Sequence, residues 1–213
     1  MTRALVVAAA AVALPACFIH ERQPQPPTSA GVWAEQRDLA TRGVKLYDGV
    51  EHRATASVCH LSLAVREARA RRLADWLGWT PTEFEQALAK ERAEAAAGEE
   101  FLVSFYTVDR FANTLAASDS IWRVALVVDG TDILPTRIRY LDTDHDQTSR
   151  ALFPMIGPFD SLYRVTYPMP PSGPLEGRPF MLRIASGIGR IDLDYAAKPG
   201  LPNGIEVVPP PQH

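Results

Sequence analysis

Residues 121–130 read IWRVALVVDG. Successive side chains of a strand point to opposite faces, so Trp122, Val124, Leu126 and Val128 share one face. Asp129-Gly130 follows, a pair that tolerates positive φ at both centres of a type I′ turn. The segment therefore predicts a strand that enters a β-hairpin. Residues 131–140 (TDILPTRIRY) are the expected return strand, and Pro135 marks an edge or a bulge, because proline donates nothing to a ladder.

The same pattern extends outward. Residues 101–107 (FLVSFYT), 162–167 (LYRVTY), 180–185 (FMLRIA) and 191–195 (IDLDY) read as strands, with Ser186-Gly187-Ile188-Gly189 as a turn. Upstream, residues 44–48 are extended, and residues 53–65 (RATASVCHLSLAV) read as a buried strand in which Cys59 is a small core hydrophobe. Short strands without interposed helices favour antiparallel pairing. The expected fold is mainly β with an α-hairpin: an antiparallel β-sandwich of Ig-like or transthyretin-like layout with a two-helix insertion. An open α+β sheet is the alternative.

The insertion occupies residues 64–97. In its first half Ala64, Ala68, Leu73, Trp76 and Leu77 recur at helical spacing, and Gly78 ends the helix. Thr80-Pro81-Thr82-Glu83 is a capping box with proline in the first turn. The second helix then carries Phe84 and Leu88 in its stripe and uses Gly98 as its C-cap. Residues 33–42 are weakly helical, with Gly43 as a stop. Arg66, Arg69, Arg71 and Arg72 could address anionic lipid or nucleic acid. Glu67, Asp75, Glu83, Glu85 and Glu91 stand among them, so the expectation is a solvated face of mixed charge.

No catalytic motif stands out. Asp142, Asp144 and Asp146 alternate as at the start of a calcium loop and are the candidate metal ligands. Such a loop needs glycine at its sixth position and glutamate at its twelfth, where this chain has Gln147 and Phe153, so no metal is expected. Gly187-Ile188-Gly189 lacks the third glycine and the helix of a dinucleotide site. His60 and Cys59, as strand neighbours, face opposite ways and form no dyad. Glu99 and Glu100 likewise face opposite ways, and the expectation is that both are solvated. Most aromatics sit at core positions. Residues 152–159 (LFPMIGPF) either cap the sandwich or present a surface to a partner.

The first residues, MTRALVVAAAAVALPAC, carry one cationic side chain, Arg3, before an apolar run from Ala4 to Leu14. That run matches the length of a secretory h-region and falls short of the roughly 20 residues that span a bilayer. Leu14-Pro15-Ala16-Cys17 resembles the lipobox of bacterial lipoproteins, with an aliphatic residue at −3, a small residue at −1 and the cysteine at +1. Pro15 departs from the usual residue at −2. The resemblance covers residues 1–17 alone. It implies that residues 1–16 are a signal peptide and that the Cys17 thiol carries diacylglycerol, which makes membrane lipid a partner. With Phe18 rather than Asp after the cysteine, the resemblance implies the outer membrane.

Residues 17–32 then form a lipidated, Pro-rich tether (Gln23-Pro24-Gln25-Pro26-Pro27), residues 33–197 one globular domain, and residues 198–213 a Pro-rich tail. The 213 residues have a net charge of −3, which becomes −4 once Arg3 leaves with the signal. This balance excludes a nucleic-acid-binding stripe. Two cysteines are too few for a disulfide framework. The expectation is an anchored envelope protein, not an enzyme and without cofactor, that serves a structural, assembly or binding role with an envelope protein partner. A glycan- or peptide-binding module and a hydrolase with an unrecognised site are the alternatives.

Overall fold

The structure, a computed structural model, describes residues 28–142 and 147–195 and the backbone of 204–208. Among these residues ten strands form two sheets. The larger contains β1 (Thr41–Asp48), β2 (Glu51–His60), β3 (Gly98–Thr107), β6 (Arg137–Leu141) and β7 (Ser161–Pro168), in the order β1-β2-β3-β7-β6 and all antiparallel. A further strand, β10 (Gly204–Val208), pairs with β1 in parallel at one edge. The smaller sheet is antiparallel, in the order β5-β4-β8-β9: β4 (Arg123–Val128), β5 (Thr131–Ile133), β8 (Met181–Ser186) and β9 (Gly189–Asp194). Among the described residues four α-helices, α1 (Ser29–Leu39), α2 (Leu63–Leu77), α3 (Pro81–Ala97) and α4 (Gln147–Leu152), and one short 3-10 helix (Arg110–Ala112) complete the order. Among the described residues no helix is long and apolar enough to cross a membrane.

The architecture is thus mainly β, with two packed sheets and a helical hairpin between β2 and β3. Between the sheets lies a core of Ala56, Val58, Phe101, Val103, Phe105, Leu126, Leu182, Ile184, Ile191 and Leu193, among others. Trp122, Val124, Leu126 and Val128 all enter it, as their alternation predicts. Asp129 and Gly130 both have positive φ, 50° and 77°, as the type I′ turn requires. A second core, on the outer face of the larger sheet, joins Cys59, Leu102 and Leu162 to Trp33 of α1, Val65 and Ala68 of α2, and Leu152, Phe153 and Ile156. Central strand β3 is therefore buried on both faces. Residues 152–156 cap this second core: Trp33 Nε1 donates to the Leu152 carbonyl at 3.2 Å and its ring meets Phe153 edge-on, while Phe159 is exposed.

Several expectations are corrected. Residues 131–140 form two strands in different sheets, with Pro135 at the crossing. The segment 53–65 stops being a strand at His60, because Ser62 caps α2 and turns the chain. α1 starts at Ser29, inside the stretch read as tether, because Thr28 caps it. β10 lies within the stretch read as tail. In α2 the buried residues are Val65, Arg66, Ala68 and Ala70, whereas Trp76 and Leu77 are exposed, because the helix docks by its first half.

Gly98 does end α3, yet its backbone is extended rather than left-handed. Its lack of a side chain answers a close approach: a Cβ there would lie 2.3 Å from the Tyr167 carbonyl oxygen on β7. Backbone cannot yield as a side chain tip can. Gly98→Ala is expected to destabilise the fold by about 1–3 kcal/mol, the range for overpacking. Urea unfolding followed by circular dichroism measures it; an unchanged midpoint would show that the two strands are not this close.

Candidate functional site

Two polar constellations are built around Glu99 and Glu100, which open β3. Both carboxylates are buried, 6% and 9% exposed, which corrects the expectation that they are solvated. They do face opposite ways. Each finds a nitrogen donor, an imidazole for Glu99 and a guanidinium for Glu100, because helices cover one face and the second sheet with its loops covers the other.

On the inner side His60 Nε2 donates to Glu99 Oε2 at 2.7 Å, and the Leu175 amide donates to Glu99 Oε1 at 2.8 Å. His60 stacks on Phe101 and meets Phe180 edge-on, at centroid distances of 4.9 and 5.1 Å. Phe180 in turn stacks on Tyr195 at 4.4 Å, the Tyr195 hydroxyl donates to the Val58 carbonyl, and Arg42 lies over the Tyr195 ring. Burial pushes the Glu99 carboxyl up, but the bonds from His60 and Leu175 outweigh it and hold the group below its ordinary value of 4.5. The imidazole Nδ1 has no protein partner among the described residues. These residues border a cleft of about 670 Å³ between α1, the start of α2 and the 175–180 loop, with His60, Arg42, Gln36, Phe180 and Tyr195 in its walls. That volume lies within the roughly 300–1,000 Å³ of small-ligand sites.

On the outer side Arg66 is 1% exposed. Its Nη2 donates to Glu100 Oε2, its Nη1 to Glu91 and Glu94 at 2.9 and 3.0 Å, and its Nε to the Leu61 carbonyl at 2.9 Å. Arg69 adds two bonds to Glu91. The expected solvated face is therefore an ion network in which Arg66 is buried and Glu91 half-buried, because the hairpin lays this side of α2 onto β3. Arg71 and Arg72 do keep to the outside, over the Phe84 and Trp76 rings. Burial works against the Arg66 charge, and Glu100 and Glu91 overcome it. For Glu91, burial raises the carboxyl and Arg69 and Arg66 more than reverse this.

Cys59 lies in the second core, and burial pushes its thiol up to about 11, which leaves it inert as a nucleophile. Cys17, Asp144 and Asp146 lie outside the described residues, and Asp142 is the one member of its trio that is described. Among the described residues no group of three or more metal-ligating side chains gathers. Ser62 uses its hydroxyl to cap α2, accepting the Val65 amide at 3.4 Å. His60 with Glu99 was missed in the sequence because the two are far apart along it.

No family model matches this chain, no curated protein matches it, and no solved structure matches it.

Two consequences are testable. Arg66→Gln takes a guanidinium from three carboxylates, of which Glu91 keeps Arg69 and Glu100 keeps only the more distant Arg164, and is expected to cost about 3–5 kcal/mol, read from denaturant midpoints. Glu99 and Glu91 hold fewer protons when folded than when unfolded between their depressed values and 4.5. Their stabilisation is present above pH 4.5 and is lost as pH falls through the folded values. A thermal scan series should show the melting temperature dropping as pH falls below about 4.5, with a smaller drop in Glu99→Gln.

Proposed function

We propose that this chain is a membrane-anchored bacterial lipoprotein of the cell envelope, held by lipid at Cys17, whose two-sheet domain has a non-catalytic binding or assembly role. The anchor reading rests on Leu14-Pro15-Ala16-Cys17 behind its apolar run. A spacer of glutamine and proline suits a domain that works at a distance from the bilayer, since polyproline extends by about 3.1 Å per residue.

The binding role is supported by the cleft beside His60. Its walls combine stacked aromatic rings, the Arg42 guanidinium and an imidazole whose Nδ1 has no protein partner among the described residues, a mix suited to a peptide or glycan segment from an envelope partner. The Glu99 carboxylate fixes the imidazole so that Nδ1 is the acceptor whenever the ring is neutral.

The anchor is tested by Cys17→Ser with fractionation and metabolic labelling by an alkynyl palmitate. The wild type should carry the label and sediment with membranes, and the variant should do neither. An unlabelled wild type, or a variant that stays membrane-bound, would sink the anchor reading.

A further inference from the structure

The ladder between β6 and β7 sets Arg139 directly opposite Arg164 and Arg137 opposite Thr166. Residues 137, 139 and 164 share the outer face of the sheet, the face on which Glu100 meets Arg66. Two like charges directly opposite each other are unfavourable unless something compensates them. The protein does not supply enough. Arg137 and Arg139 are exposed and have no partner among the described residues. Arg164 is three-quarters buried, and its Nε is shielded from water without a hydrogen-bond acceptor. The nearest carboxylate oxygen, Glu100 Oε1, is 3.6 Å away, too far for a hydrogen bond. The other Glu100 oxygen is taken by Arg66, as is Glu94 Oε2.

These groups surround a cavity of about 260 Å³ between the end of α3 and the β6 edge. Its walls hold four guanidinium groups, of Arg66, Arg137, Arg139 and Arg164, against two carboxylates, of Glu94 and Glu100. Two positive charges are therefore in excess, in a chain that is acidic as a whole. Burial works against the Arg164 charge, Glu100 supports it, and repulsion from Arg69, Arg139 and Arg66 adds to the burial, so the balance disfavours the charge.

We propose that this pocket binds a phosphoryl dianion, as inorganic phosphate or as the monoester of a small alcohol or lipid head group. Planar guanidinium forks match phosphate oxygens two at a time. A dianion cancels the excess charge, whereas a carboxylate cancels half of it. The volume, several times the roughly 30 Å³ share of a water molecule, leaves room for a short ester substituent beside the phosphate. The site lies apart from the His60 cleft, on the outer face of the sheet, and the inference does not depend on lipidation at Cys17.

The test is calorimetric titration of the full chain in detergent at pH 8 and fixed ionic strength, with inorganic phosphate, glycerol 3-phosphate and acetate. Saturable binding of at least one phosphate probe is expected, with acetate at least tenfold weaker. The double variant Arg137→Gln/Arg139→Gln should lose at least tenfold in affinity, and Arg123→Gln, an exposed arginine on the other sheet, should lose nothing. The bound probe should also raise the melting temperature of the wild type, a readout that needs no variant. Tighter binding of glycerol 3-phosphate supports the proposal and identifies an ester or head group; tighter binding of inorganic phosphate supports it and identifies the free ion. Failure of both probes to bind, equal binding of acetate, wild-type affinity in the folded double variant, or an equal loss in Arg123→Gln overturns it.

Discussion

Arg66 reaches from the first turn of α2 to a place where it is almost wholly buried, and three carboxylates and a carbonyl hold its charge. The Leu61 carbonyl comes from the link between β2 and α2, Glu91 and Glu94 from α3, and Glu100 from β3. One side chain thus ties both arms of the hairpin and the central strand to a single point. Replacing such a network by apolar side chains is often neutral for stability, whereas removing one partner is costly. Its main effect here is to fix where the hairpin sits. α2 offers little else: Val65, Ala68 and Ala70 are small, and Trp76 and Leu77 are exposed.

Because the hairpin is fixed on the outer face, β3 becomes a strand with two interiors. Phe101, Val103 and Phe105 belong to the core between the sheets, and Leu102 to the core under the helices. Glu99 and Glu100, at its start, carry this two-sidedness into chemistry. One carboxylate organises an imidazole at the cleft, the other a guanidinium beneath the helices. Both polar centres therefore depend on the pleat of one strand.

Much of the fold was legible in the sequence. The alternation over residues 122–128, the Asp129-Gly130 turn and the capping box at Thr80 are local signals, and local geometry decides them; Thr80 and Glu83 do exchange both bonds of the box. The sites were not legible in the same way. Parity tells that Glu99 and Glu100 face opposite ways, but not that both faces are covered. Alternation in Arg137-Ile138-Arg139 reads as an ordinary wet face, and nothing local reveals that Arg164 stands opposite. Cooperation between residues 60 and 99, or 66 and 100, follows from topology, as does the crossing of the chain from β5 to β6.

The junction at Gly98 carries a consequence for the whole arrangement. α3 ends at Ala97 and β3 begins at Gly98, with no residue between them to absorb a change of length. The angular phase of the helix and the pleat of the strand are thereby geared together. One residue added at this joint would turn the Glu91 and Glu94 side of α3 by about 100° relative to the strand. If the helix held its place instead, every β3 side chain would change faces, with Glu99 turned toward Arg66 and Glu100 toward His60. At this joint the chain keeps count.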